Sequence, residues 1–391
     1  MLLAALSLRG IALETYSTAK PGAYRAPIFL ATVLVAAILP MFFDIYRTVY
    51  YSTMSYDDYS RYLLWVLGAP GGEIPPSPHV YRPGSIILAA PFYHLPVVMF
   101  SGEGIQHAPI MMQQEHVRAL QAMCAANVAY ATLSAGIAGH YLTFRRNVPM
   151  GWAFSATLIF LLLTRYLGMG SADGIATLPL MIATIAMVER RIAIFAAAVI
   201  IGTIVNEKVA LIAFLAASLR TLFVAEHRKA HLVMAGFAAM ALAAYAATVL
   251  TLAMPGLDNQ RDPGTYLSAI AGSVSHLVGM KGAYQNLWPL IFLFILWWTS
   301  IGQTRDPIVY HCDIVGVAAL FMFAMALDVQ YNVGRIVMFS LPLFLLGAVE
   351  SMARLRAGSG SPQETSPDAA RSPAPVAPFP SVAGAEGSPI S

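Results

Sequence analysis

The chain has 391 residues, of which 58% are hydrophobic and only 11% charged, against about 25% charged in a soluble domain. With a mean hydropathy of +0.65, this excludes a water-soluble globule, and with it a nucleic-acid binder or soluble enzyme, and points to an integral membrane protein. The net charge of +3 is too small to imply an acidic partner, so the positions of the charges matter more than their sum.

In chain order, residues 1–26 read as a cytoplasmic N-terminal segment. The apolar run 2–8 is short and has no basic residue before it. The run 27–43 follows Lys20 and Arg25 and lacks a small-residue cleavage site, so it reads as an uncleaved first span. A spanning helix needs about 20 mainly apolar residues. That rule predicts further spans at 117–143, 150–167, 175–188, 192–205, 209–224, 232–254, 286–301, 309–327 and 333–351. The expected fold is all-α: a polytopic membrane domain over 27–352 with about ten transmembrane helices. The rest, 353–391, turns rich in Ser, Pro, Ala and Gly. It cannot bury a core and is expected to be a disordered cytoplasmic tail. Cys124 and Cys312 sit in no metal-ligand spacing and are expected in opposite leaflets, out of disulfide reach.

The segment 85–101 is apolar but broken by Pro91 and Pro96. The positive-inside rule decides its placement. If it does not cross, Lys20, Arg25, Arg145, Arg146, Arg190, Arg191, His227, Arg228, Lys229, Arg305, Arg354 and Arg356 all fall on one side. It is therefore placed as a juxtamembrane helix on the outer face, within a large outer loop 44–116, with both termini cytoplasmic. A second outer loop, 255–285, holds a helix-like stretch at 266–278.

The outer face then collects Asp57, Asp58, Arg61, His79, Arg82, Asp173, Glu207, Lys208, Lys281, Asp328 and Arg335. Topology does not require a mixed-sign set at one face, whereas a polar site would. In Ser55-Tyr56-Asp57-Asp58-Tyr59-Ser60-Arg61-Tyr62 the adjacent carboxylates could supply a general base or bind a divalent cation. A Ser55 cap with the aspartates in the first turn explains the same residues equally well. Tyr59, Tyr62 and Trp65 suit an interfacial position. In His79-Val80-Tyr81-Arg82-Pro83-Gly84, Pro83 biases Arg82 to an extended turn, where it can snorkel to headgroups or hold a phosphate. Asn206-Glu207-Lys208 is either a tight turn with a local Glu–Lys pair or a site in the outer half of the membrane, and the uncompensated burial favours the site. Asp328-Val329-Gln330-Tyr331-Asn332-Val333-Gly334-Arg335 offers an Asp–Arg pair or a guanidinium for a lipid-linked phosphate. Asp173 is better explained as a helix cap than as a site residue. Neither an HExxH motif nor a P-loop or GxGxxG cradle is present.

An acidic pair after the first span, a Tyr-Arg-Pro turn before a membrane-hugging helix, a charged central turn and an Arg at the last span resemble the GT-C superfamily of membrane glycosyltransferases. Relatives include the polyprenyl-phosphate-sugar-dependent mannosyl-, arabinosyl- and aminoarabinose transferases. The resemblance covers 27–352 in topology, and Asp57-Asp58 is its most specific part. It implies a sugar donor on a polyprenyl phosphate, a glycan, lipid or protein acceptor, and an active site on the outer face of the cytoplasmic membrane. Asp57 would be the base, with Asp58 as helper. Lys208, Arg335 and Arg82 would hold the donor phosphate, supported by Tyr81, Asp173, Glu207, Asp328 and Tyr331. Some relatives use a divalent metal, for which Asp57, Asp58 and Asp173 are the candidates. The large C-terminal extracytoplasmic domain of some members has no counterpart, which leaves acceptor recognition unassigned. The competing expectation is a transporter, flippase, or polysaccharide polymerase or ligase handling lipid-linked sugars. Against transport, there is no inverted repeat and the charges gather at a face, not at the midplane.

Overall fold

A computed structural model describes residues 57–75, 79–94, 114–146, 148–164, 173–223 and 227–252, with positions 339, 341–343 and 345–346 besides. Every element among them is helical, as the apolar composition predicts. Two short helices come first, α1 (Asp57–Val66) and α2 (Pro83–His94), the latter preceded by a single 3-10 turn, His79–Tyr81. Six longer ones follow: α3 (Gln114–His140), α4 (Met150–Thr164), α5 (Asp173–Val188), α6 (Ile192–Val205), α7 (Lys208–Phe223) and α8 (Arg228–Leu252). The predicted spans 27–43, 286–301 and 309–327 lie outside the described residues, as does most of 333–351.

Two of the described helical stretches are long and apolar enough to cross a membrane by length and composition, Arg118–Arg145 and Arg228–Leu252. The first is mostly buried by its neighbours. The second is largely exposed, with Leu232, Val233, Met240, Leu250 and Leu252 on its surface. α5 and α6 have 16 and 14 residues, about 24 and 21 Å at 1.5 Å per residue, which is short of a bilayer's hydrocarbon core. α2 is described over 12 residues and runs through Pro91; positions 95–101 of the same apolar segment lie outside the described residues.

Local chemistry sets the helix ends. Pro83 opens α2, where its missing N–H costs nothing, and the Ser85 hydroxyl donates to the Arg82 carbonyl at 2.8 Å. α5 closes through Arg190 in the left-handed region, φ 59°. The extended residue Asn206 ends α6, its N–H bonded to the Gly202 carbonyl at 2.7 Å. The same residue starts α7: its Oδ1 accepts the Lys208 N–H at 3.2 Å and its carbonyl accepts the Val209 N–H at 3.0 Å. An asparagine is suited to that capping role, and it reverses the chain in two residues.

The core is rich in alanine, which lets the axes come close. Ala119, Ala122, Ala126, Ala135 and Ala138 are the buried alanines of α3, which packs on α5 with its buried Ile175, Leu180 and Met181, and α5 in turn packs on α6 with its buried Phe195 and Val199. Two glycines permit contacts that a side chain would block. A Cβ on Gly84 would lie 3.0 Å from the Ile204 backbone, so glycine lets α2 approach the end of α6. A Cβ on Gly174 would lie 2.5 Å from Asn127 Oδ1, the atom that accepts the Ile175 N–H at 2.9 Å.

The antiparallel order of α5, α6, α7 and α8 puts Asp173, Asn206, Glu207 and Lys208 at one end. Arg190, Arg191, Arg228 and Lys229 fall at the other, where the Tyr141 hydroxyl from the end of α3 donates to Glu189 at 2.8 Å. This is the segregation of charge that the sequence pattern predicts.

Candidate functional site

Arg82 is the centre of the polar end. Pro83 and α2 fix its backbone, and Gly84 brings that backbone against α6. Its guanidinium grips Glu207 with two parallel contacts: Nε donates to Oε2 at 2.7 Å and Nη2 donates to Oε1. Nη1 donates to the Tyr59 hydroxyl at 2.8 Å. Arg82 is 6% exposed, so this fork is withdrawn from water, where a bidentate pair is strongest. Burial disfavours the Arg82 charge, but Glu207, Tyr59 and Asp173 more than restore it, and its pKa stays well above the ordinary value. Burial would likewise push Glu207 up. The guanidinium beside it, the hydrogen bonds from that group and Lys208 outweigh this and hold it below the usual carboxylate value. Burial raises the Tyr59 phenol, with Arg82 opposing, so Tyr59 stays neutral.

A second pair lies beside the first. Asp173 opens α5 and is fully buried. Its Oδ1 accepts from Asn206 Nδ2 at 2.7 Å and from Lys208 Nζ at 3.3 Å. The ammonium of Lys208 also stands 5.0 Å from the centre of the Phe339 ring, within cation–π range. Glu207 and Lys208 therefore turn to separate partners, Glu207 to Arg82 in the turn before α2 and Lys208 to Asp173 at the start of α5. Nor does the capping account suffice for Asp173. Asn127 of α3 takes a first-turn amide of α5 from outside, while the Asp173 carboxylate joins the ion pair.

The structure thus brings together four of the residues singled out from sequence, Arg82, Asp173, Glu207 and Lys208. Tyr81 is buried beside them, its ring edge-on to Tyr245 of α8 at 6.4 Å. Asp57 and Asp58 form the first turn of α1, immediately before Tyr59, so Asp58 has its Cα about 3.8 Å from that of Tyr59; their side chains are outside the described residues. Asp328, Tyr331 and Arg335 also lie outside them. Tyr59, Asn206, Tyr245 and Phe339 belong to the site and were not assigned to it from sequence. For Asn206 the signal was at hand, since it adjoins the Glu-Lys pair. For Tyr59, which read as an interfacial aromatic, only its neighbouring aspartates pointed here.

The described charges of the cluster balance, with two cations against two carboxylates. Asp173, a candidate metal ligand, already has an ammonium against it, which disfavours a divalent cation at that carboxylate. Among the described residues no three His, Cys, Asp or Glu side chains converge as a metal site would need. Comparison with protein-family models, with curated proteins and with solved structures finds no match to this chain.

Proposed function

We propose that the chain is a membrane glycosyltransferase of the GT-C kind, with about ten spans, moving a sugar from a polyprenyl-phosphate donor to an acceptor at the outer face of the cytoplasmic membrane. One observation carries this reading. Arg82, Asp173, Glu207 and Lys208 meet in a buried cluster at one end of the bundle, joined through Tyr59 to the helix that begins with Asp57 and Asp58. Burying two of these ionised groups, Arg82 and Asp173, and half-burying the other two is expensive, and such groups near a bilayer mark function. The exposed apolar residues of α6 and α8, among them Ile200, Ile201, Ile204, Leu232 and Leu250, support a lipid surrounding.

In this mechanism the Asp57 carboxylate takes the proton of the acceptor hydroxyl. The freed oxygen attacks the anomeric carbon from the side opposite the phosphate. The bond from that carbon to the phosphate oxygen breaks, its electron pair leaves with polyprenyl phosphate, and configuration inverts. Asp58 assists the base. Lys208 and Arg335 meet the charge that grows on the departing phosphate. Phe339, which lies over Lys208, follows Arg335 by four positions in the sequence. Arg82 has one edge of its fork committed to Glu207, so it contributes less to the donor than a free guanidinium would.

The test is release of polyprenyl phosphate when purified protein is supplied with a membrane lipid extract. Turnover should fall about 10²–10⁴-fold, the usual loss of a general base, when Asp57→Asn and Asp58→Asn are combined. Wild-type turnover in that variant would overturn the carboxylate mechanism. Movement of lipid across a vesicle bilayer without release of phosphate would favour the flippase reading instead.

A further inference from the structure

Glu207 and Arg82 do more than neutralise each other, because three separate parts of the chain meet at this pair. Glu207 belongs to the turn between α6 and α7, and Arg82 to the turn before α2. Tyr59 of α1 accepts from Arg82 Nη1 at 2.8 Å, and Tyr245 of α8 stands edge-on to Tyr81, the residue before Arg82, with ring centres 6.4 Å apart. Three donor groups of the guanidinium are thereby aimed in two directions, toward the bundle and toward α1. A planar fork fixes both directions together, which a flexible ammonium could not do. One turn along α1, the Tyr62 hydroxyl donates to the Val80 carbonyl at 3.2 Å. The rim of α1 is held less firmly: Arg61 pairs with Glu73 at 2.7 Å, but both are solvent-exposed, where such a pair adds little.

We infer that Tyr59 is a positioning residue. Through Arg82 and Glu207 it fixes the first turn of α1, with Asp57 and Asp58, against the turn between α6 and α7. Its phenyl ring would be buried with or without the hydroxyl. The oxygen is what couples the acidic turn to the charged cluster, so removing that one atom frees the turn without emptying the core. The catalytic consequence rests on the reading of Asp57 and Asp58 as the base, whereas the mechanical one does not.

The test separates the two. Spin labels go on the exposed positions Trp65 of α1 and Ile194 of α6, as Trp65→Cys and Ile194→Cys, in protein reconstituted in nanodiscs with Cys124→Ala and Cys312→Ala. A single narrow distance distribution is expected. Tyr59→Phe should broaden it and lower kcat for phosphate release from the lipid extract about tenfold, a modest misplacement on the scale of orientation effects. The apparent KM should stay within about twofold, because Lys208 and Arg335, the main donor-binding groups of the proposed mechanism, are untouched. Asp57→Asn with Asp58→Asn should abolish turnover yet keep the narrow distribution. An unchanged distribution in Tyr59→Phe overturns the inference, and so does a broadened one with wild-type kcat. Should wild-type protein release no polyprenyl phosphate from the extract, the glycosyltransferase reading fails, and the label distance still decides whether Tyr59 holds α1.

Discussion

Where α5 begins and α6 turns into α7, Arg82, Asp173 and Asn206 are buried, Glu207 and Lys208 are partly so, and each meets a partner on another element. At the opposite end, Arg145, Arg190, Arg191, Arg228 and Lys229 are exposed cations, with the exposed acid Glu189 held beside them by the Tyr141 hydroxyl. The same residue types do different physical work at the two ends. Exposed cations keep their hydration, lose little on folding, and orient a membrane protein by number, not by geometry. Buried charges of both signs lose their hydration and recover it only through partners at fixed distances. One end can tolerate substitution; the other depends on each atom.

The sharpest way to break that comparison is to remove one half of the bidentate pair. Glu207→Ala leaves a guanidinium buried without its carboxylate and should cost about 3–5 kcal/mol of stability, read as denaturant unfolding in detergent. Arg82→Met combined with Glu207→Leu should recover much of that loss, since no uncompensated charge remains. If the double variant is as unstable as the single, the pair is not the source of the effect.

A smaller effect follows from pH. The folded state holds Glu207 below its ordinary value of 4.5, because Arg82 and Lys208 outweigh burial. A depressed carboxylate stabilises the fold fully above its unfolded pKa, and that contribution is lost as pH falls through the folded value. Unfolding followed from about pH 6 to about pH 3 should therefore show stability declining below 4.5. Glu207→Gln should flatten the part of the decline that this carboxylate causes. A wild-type decline equal to that of the variant would remove Glu207 from the account.

The smallest effect is expected at the basic end. Arg191 precedes α6 with no side-chain hydrogen bond to the helix start, and it is exposed. Arg191→Ala should change stability by no more than about 0.5 kcal/mol. A loss approaching that of Glu207→Ala would show that this end is built as tightly as the other.

Much of the helical layout was legible because it is local. An unbroken apolar run between Arg191 and Asn206 predicts a helix at 192–205, which is where α6 lies, Ile192–Val205. The Tyr-Arg-Pro turn marks a helix start, and α2 begins at Pro83 with Arg82 just outside it, although the helix continues through Pro91, which the sequence reads as a break. Charge parity along the chain already sorted the mixed-sign residues from the basic ones. The partners inside the cluster were not legible. Glu207 and Lys208 are neighbours and read as a pair or a single motif, yet one turns to Arg82, 125 positions away, and the other to Asp173, 35 positions away. Tyr59 looks like any interfacial tyrosine until Arg82 arrives beside it. Among the described residues, the sequence by itself determined most of the helices and the ends at which Arg82, Asp173, Glu207 and Lys208 and the pairs Arg190–Arg191 and Arg228–Lys229 lie, because hydrophobic runs and turn residues act over a few positions. Only the tertiary structure decided which charge meets which, because hydrogen-bond partners are chosen by the close packing of α2, α5, α6 and α7, which small residues such as Gly84 and Gly174 permit and no local pattern encodes.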